Sequence, residues 1–216
     1  MLEKMAEFFE ARLDTYDEHM MNEIELANEF YPLTASLLPI EKNVKILDLG
    51  CGTGLELGEY FKLNPEALVT GIDLSAKMLS ELKRKFADKK LNLIVDSYFD
   101  YPLGENCYDA AVSVESLHHF TKDEKIPLYT KLFKALKDNG YFIITDYFAS
   151  NNEDEITFRQ ELIKLKKEQG IDDNEFYHYD TPLTVEHECE ALLKAGFTKV
   201  ETVNNFGATY ILKAYK

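Results

Sequence analysis

From Val44 onward, short apolar runs alternate with amphipathic stretches, and few folds accept that alternation. The runs are Val44 to Leu49, Leu68 to Ile72, Leu91 to Val95, Tyr108 to Val114 and Tyr141 to Thr145. Between them, Leu55 to Leu63, Ala76 to Phe86 and Lys125 to Lys137 carry apolar residues at i, i+3, i+4 spacing, which predicts helices. Strands followed by helices in this rhythm predict an α/β fold, with helices packed on a mostly parallel sheet. Asn139-Gly140 is expected to end the third helix, because both residue types tolerate the left-handed conformation.

The flanks differ. Met1 to Leu38 is helical in pattern, with Tyr31-Pro32 as the expected break. Ligands of open α/β sheets bind beyond the carboxyl ends of the strands, so an added helix either covers that crevice or shields a sheet edge. Both readings stay open. After Tyr147, Asn151 to Gly170 and Val185 to Ala195 read as helices, and Lys199 to Val203 and Thr209 to Ala214 as strands. Asn204-Asn205-Phe206-Gly207 between those strands is a hairpin signal, so an antiparallel edge is expected. A chain of 216 residues with 45% hydrophobic content fits one domain with a full core. Its expected parts are an N-terminal helical cap over 1–40, a ligand-binding core over 41–150 and C-terminal helices with edge strands over 151–216.

Charge narrows the partners. Lys+Arg number 24 and Asp+Glu 39, a net charge of −15, and a surface of that sign repels polyphosphate chains. Nucleic acid is therefore not the expected substrate. The basic runs Lys83-Arg84-Lys85 and Lys164 to Lys167 read as solvated helix faces. The first twenty residues hold no long apolar stretch, so neither a signal peptide nor a membrane span is expected, and the expected location is cytoplasmic. Cys51, Cys107 and Cys189 are odd in number and widely spaced, which predicts free thiols and gives no zinc pattern.

Candidate site residues gather at strand ends. The first strand runs into Asp48-Leu49-Gly50-Cys51-Gly52-Thr53-Gly54, where absent side chains let backbone N–H groups approach a ligand closely. The G-x-G-x-G spacing differs from the G-x-G-x-x-G of dinucleotide binders. The second strand leads to Asp73-Leu74, an acid placed to accept from both hydroxyls of a ribose, or else to cap the helix containing Met78. Asp96-Ser97-Tyr98 ends the third strand, offering a carboxylate to an adenine amino group and an aromatic ring beside the base, though Asp96 also suits a turn. The fourth strand leads to Glu115-Ser116-Leu117-His118-His119-Phe120, an acid and two imidazoles near the reacting end of such a ligand. Neutral His118 is the candidate general base, against the commoner fate of a capping or core histidine.

These motifs together resemble the class I S-adenosylmethionine-dependent methyltransferases of the small-molecule type, near the ubiquinone and menaquinone methyltransferases. The resemblance covers roughly residues 44 to 148. It rests on Ile46 to Gly54, on Gly71-Ile72-Asp73-Leu74-Ser75 with Met78-Leu79, and on Tyr108-Asp109 leading to Leu117-His118-His119. Leu136-Lys137 through Phe142, and Leu192 to Phe197, extend it. It implies a Rossmann-like sheet of seven strands in the order 3-2-1-4-5-7-6, strand seven antiparallel, with helices on both faces. It also implies S-adenosylmethionine as cofactor. Gly50, Cys51, Gly52, Thr53 and Gly54 would then lie under its methionine part, Asp73 would hold the ribose, Asp96 would meet the adenine, and Glu115 would approach the methionine. Tyr16 resembles an N-terminal tyrosine that closes over the ligands.

The function so implied is methyl transfer to a small acceptor by in-line displacement, with the acceptor entering beneath the N-terminal helices and Tyr177-His178-Tyr179. Three other readings remain at this point. One is a protein that binds the cofactor without catalysis. Another is a nicotinamide-dependent oxidoreductase, which the glycine spacing disfavours. The last is a metal bridged by Glu115 and Asp146, which two strand-end acids alone do not support.

Overall fold

Side-chain parity along the strands decides where everything packs. The computed structural model describes residues 1–171 and 175–216. Its sheet comprises β1 (Lys45–Leu49), β2 (Leu68–Asp73), β3 (Lys90–Val95), β4 (Tyr108–Val114), β5 (Leu136–Tyr147), β6 (Lys199–Phe206) and β7 (Thr209–Tyr215), in the order β3-β2-β1-β4-β5-β7-β6. The first five strands run parallel and β7 is antiparallel to both neighbours, as the resemblance implied. Successive residues of a strand face opposite sides of the sheet. Leu47, Leu49, Ala111, Phe142 and Ile144 accordingly pack on one side, with α6 (Lys122–Ala135) and α8 (Val185–Lys194). Ile46, Ala110, Val112 and Ile143 pack on the other, against α3 (Ala27–Ser36), α4 (Leu55–Leu63) and α5 (Ala76–Lys85). Burial on both faces is why these strands read as apolar runs.

Local signals set the helix starts. Ser75 Oγ accepts from Met78 N at α5, and Thr121 and Glu124 form a reciprocal capping box at α6. Asn151 caps the exposed α7 (Asn152–Gln169), which ends at left-handed Gly170. Helix α8 is capped by Thr184, and Glu155 of α7 accepts from Thr184 N at 2.7 Å.

Three expectations are corrected. Helix α6 ends at Ala135, not at Asn139-Gly140, because Leu136 is already extended and pairs with Tyr108. Asn139, at φ +64°, and Gly140 instead serve an irregularity within β5, where a Cβ on Gly140 would meet Lys137 O at 2.8 Å. The N-terminal break falls not at Tyr31-Pro32 but between α2 (Leu13–Asn22) and α3, where Leu26 takes φ +59°. Pro32 sits inside α3 on its exposed side, where the carbonyl it leaves unpaired can meet water. The β6–β7 turn is Gly207-Ala208, with Gly207 at φ +61°, while Asn204 and Asn205 pair within β6 beside a bulge.

Of the two placements left open for the N-terminal segment, α1 (Met5–Ala11) and α2 take the first, over the crevice, while α3 lies on a sheet face over the interior strand β5. Helix α3 packs on α4 and β5, whereas α1 and α2 cross the carboxyl ends of the strands. No helix among the described residues is long and apolar enough to cross a membrane.

Candidate active site

Two adjoining cavities lie beyond the strand ends. The inner one is a narrow cleft of about 50 Å³ walled by Gly50, Gly52, Asp73, Leu74, Met78 and Tyr98, with Met5, Ala6, Phe9 and Tyr16 above. Ser75, Ser116, Glu115 and His119 complete it. The outer cavity encloses about 1180 Å³ and is lined by α1 and α2 residues, Tyr147, His118, His178, Asp180 and the β6–β7 turn. Phe9, Tyr16, Glu115 and His119 line both, so they form the neck between the two.

The glycine loop builds the cleft floor. Gly50, Gly52 and Gly54 have φ of +73°, +47° and +75°. A Cβ on Gly50 would strike Ser116, whose Cβ lies 2.6 Å from that point, and one on Gly54 would press Leu82 at 3.1 Å. A Cβ on Gly52 would meet nothing closer than Tyr16 Oη at 3.9 Å, so this glycine faces open cleft. Asp73 is pinned at the strand end: its Oδ2 accepts from Gly52 N at 2.9 Å and its Oδ1 from Ser75 N at 2.8 Å. Burial raises the Asp73 pKa, opposed by those two backbone donors.

Not every expected cofactor residue reaches the cleft. Asp48 is the main correction: it shares the parity of Ile46 and lies buried beneath the loop, facing Glu56 of α4. Its oxygens and Glu56 Oε1 find no donor elsewhere, so the carboxyls satisfy each other only through a shared proton. Burial and then the Glu56 charge raise the Asp48 pKa well above the usual range, which places the proton on Asp48. Cys51 is buried against Gly71, and Gly54 caps α4. The Thr53 hydroxyl donates to Asp17 of α2, and Lys85 pairs with the same carboxylate at 2.7 Å, tying the cover to the loop. Asp96 is exposed, accepting from Ser97 N at 2.7 Å, and Ser97 Oγ accepts from Phe99 N at 3.1 Å. Tyr98 reaches Ser116 at 3.2 Å and does wall the cleft. Cys51, Cys107 and Cys189 are free.

At the neck, Glu115 takes φ +48° and is half-buried; its Oε1 accepts from Thr209 Oγ1 at 3.1 Å. Burial, then the Asp146 charge, pushes its pKa up to about 7. His118 is held hard. Its Nδ1 lies 2.5 Å from Asp146 Oδ1, Asp146 Oδ2 accepts from Leu117 N at 2.8 Å, and His118 Nε2 faces Asp180 Oδ1 at 3.4 Å. Burial would lower its pKa, but the Asp146 and Asp180 carboxylates override this and raise it well above the ordinary value. A histidine so flanked is held in one orientation, with Nδ1 towards Asp146 and Nε2 towards Asp180 and the outer cavity. His119 is neutral-leaning, lowered by burial and by the His118 charge, and burial with His119 nearby brings His178 down to about 4.

Asp180, Phe9 and Arg12 were not singled out by sequence, and Asp146 was weighed only as a metal bridge with Glu115. Asp146 at the end of β5 offered a signal through its strand-end position; the others come into the site from distant segments and offered none. The Arg12 guanidinium lies over the Phe8 ring at 3.6 Å and pairs with Glu3 at 3.0 Å.

The cleft fits an adenosyl ligand: Gly52 leaves room for close backbone approach, Asp73 offers a fixed acceptor to ribose hydroxyls, and Leu74, Met78 and Tyr98 give apolar walls. A methyltransferase domain matches residues 46–140, the segment that builds this cleft. Residues 46–140 carry a methyltransferase domain of the class I S-adenosylmethionine-dependent type. The chain's relatives include a carboxy-S-adenosyl-L-methionine synthase of Nautilia profundicola, 26% identical over 97% of this chain and 95% of that protein. They also include a tRNA (carboxymethyluridine(34)-5-O)-methyltransferase of Arabidopsis thaliana, 33% identical over 50% of this chain and 25% of that one. Among solved structures, an S-adenosylmethionine-dependent methyltransferase of Mesorhizobium loti matches with a TM-score of 0.61 at 20% identity, covering 86% of this chain and 96% of that one. A Nostoc punctiforme chain proposed to be an O-methyltransferase gives 0.67 at 24% identity, covering 89% of this chain and 57% of the other. The last two share the fold. None of these four is named for a quinone acceptor. Domains of this class use S-adenosylmethionine as methyl donor.

Proposed function

We propose that the chain transfers a methyl group to a small acceptor seated in the outer cavity, and that the reacting centres meet at the neck of Phe9, Tyr16, Glu115 and His119. The observation carrying this reading is the junction of the two cavities at those four residues. The sulfonium of the cofactor supplies an already activated methyl group. The protein's task is therefore alignment, which contributes about 7 to 11 kcal/mol where two reactants are held in line. Asp73 and the Gly50 to Gly54 loop hold the cofactor in this reading. Glu115 and His118, stiffened by Thr209 and Asp146, orient the acceptor.

Charge supports an acceptor that is uncharged or basic. Carboxylates of Glu18, Glu23, Glu25, Glu115 and Asp180 line the outer cavity against the Arg12 guanidinium. An acidic wall repels an anionic acceptor and concentrates a cationic one. The same sign argues against nucleic acid, and we assign residues 1–40 as a cap, 41–150 as the cofactor core and 151–216 as the remaining wall of one domain. Because the cleft is narrow with α1 and α2 packed over it, cofactor entry requires those helices to give way.

The test is formation of S-adenosylhomocysteine by the full chain with a panel of neutral and amine acceptors. Replacement of His118 by Ala is expected to slow turnover with little change in cofactor affinity; an unchanged rate removes His118 from the acceptor site. Tight cofactor binding with no product from any acceptor would favour a non-catalytic binder. The full-length likeness to the Nautilia synthase supports a second reading, in which the product is carboxy-S-adenosylmethionine, and mass spectrometry of the nucleoside product separates the two.

A further inference from the structure

We propose that His118, His119 and Asp180 form a binding site for a divalent transition-metal ion of the zinc class, in the wall of the outer cavity. Their ligand atoms, His118 Nε2, His119 Nδ1 and Asp180 Oδ1, all lie within 4.8 Å of one another. Two edges of that triangle are 3.4 Å, from Nε2 of His118 to Oδ1, and 3.2 Å, from Nδ1 of His119 to the same Oδ1. Charge-assisted hydrogen bonds run at about 2.7 to 2.9 Å, so both contacts are looser than a tight charge-assisted bond. A tetrahedral ion with bonds of about 2.0 to 2.1 Å separates its ligands by about 3.3 to 3.4 Å, which both edges approach. His119 Nδ1 is also 3.2 Å from the Tyr179 carbonyl, at the long end of the hydrogen-bond range, so the unmetallated ring can donate there.

The surroundings have the form such a site needs. A ligating imidazole commonly donates its other N–H to a carboxylate, and His118 presents Nδ1 to Asp146 Oδ1 at 2.5 Å. Asp146 is fixed in turn by Leu117 N at 2.8 Å. Thr181 N donates to the His118 carbonyl at 2.9 Å, which pins the segment carrying Asp180 beside the two histidines. Both imidazoles are buried, while the Asp180 side chain is half exposed towards the cavity, which leaves a coordination position facing it. The acidic cavity wall attracts a cation. Three protein ligands and one open position form an arrangement that binds a metal and presents it to a small molecule. The inference rests on the methyl-transfer reading only for what would take that open position.

The experiment uses the full chain stripped of metal, titrated with Zn²⁺ against a chromophoric chelator and with Co²⁺ by visible absorption. One ion per chain and a tetrahedral Co²⁺ spectrum are expected. Asp180→Asn and His119→Gln should each weaken binding at least tenfold, and Asp146→Asn by about 10 to 100-fold, as loss of an orienting partner does. Glu105→Gln, exposed and outside both cavities, should leave affinity unchanged, and melting curves of each variant separate lost binding from lost folding. Absence of a stoichiometric ion, an octahedral Co²⁺ spectrum, or equal affinity in folded Asp180→Asn overturns the proposal. S-adenosylmethionine binding is measured on the same samples. Failure of metal binding with cofactor binding intact rejects this site alone, and loss of cofactor binding with the metal retained rejects the methyl-transfer reading alone.

Discussion

Replacing Gly52 by Ala should separate folding from cofactor binding, because this glycine faces the cleft and not the core. At φ +47° an alanine pays the left-handed backbone penalty, about 1–2 kcal/mol, while its Cβ finds nothing nearer than Tyr16 Oη at 3.9 Å. For a chain of this length each kcal/mol moves the melting temperature by about 2–4 °C, so the variant should fold and melt about 2–8 °C lower. The added methyl group nevertheless enters a cleft of about 50 Å³, on the surface the ligand must approach. S-adenosylmethionine at a hundred times its dissociation constant stabilises the parent chain by about 2.7 kcal/mol, a rise of about 5–11 °C. The same concentration should leave Gly52→Ala nearly unmoved, with calorimetric affinity reduced more than tenfold. Gly50→Ala is the contrast: its Cβ collides with Ser116, so it should lose the fold itself. A Gly52→Ala chain that binds the cofactor as the parent does would refute the assignment of this loop as the cofactor floor.

Two further outcomes concern buried charge. Lys125 and Glu188 form an ion pair at 2.6 Å, 2% and 0% exposed, with the Tyr129 hydroxyl donating to the same carboxylate. Lys125→Met strands that carboxylate and should cost about 3–5 kcal/mol, or about 6–20 °C in melting temperature, and a loss below about 1 kcal/mol would contradict it. At the Asp48–Glu56 pair, burial and the Glu56 charge raise the folded pKa of Asp48 above its unfolded value of about 3.9. The stabilisation of the protonated acid is full below that unfolded value and fades as pH rises through the folded one. Asp48→Asn, which donates to Glu56 without a titrating proton, should therefore gain melting temperature over the parent as pH rises from 4 to 8; a gain that shrinks with pH would show the sign to be wrong.

The parts of this molecule that sequence reveals are those built from neighbours in the chain. Gly50 and Gly52 follow β1, Asp73 and Leu74 follow β2, and Glu115 follows β4, so strand prediction alone delivers them to one edge of the sheet. Asp48 shows where motif reading failed and what would have corrected it. It shares the parity of Ile46, and alternation puts it under α4, opposite Glu56, on the far side from the cleft. Asn139-Gly140 misled for a related reason: left-handed tolerance serves a strand irregularity as readily as a helix end, and only pairing with Tyr108 and Ala110 distinguishes them. His118 was visible as a strand-end histidine, but its protonation depends on Asp146 and Asp180, which lie 28 and 62 positions away.

That division has a consequence for how the acceptor is chosen. The cofactor floor comes from the turns that follow β1 and β2, whose geometry the sheet enforces. The acceptor wall is assembled from α1 and α2, the turn after β4, the segment at His178 and Asp180, and the β6–β7 turn. Several of these wall residues are held by side-chain bonds between segments: Arg12 to Glu3, Thr209 to Glu115, and Asp180 to His118. Changing one of them alters the cavity without moving the glycine loop or Asp73. A chain built this way can exchange acceptors while keeping its cofactor, so fold and cofactor are readable from one sequence while the acceptor is written in contacts between distant segments.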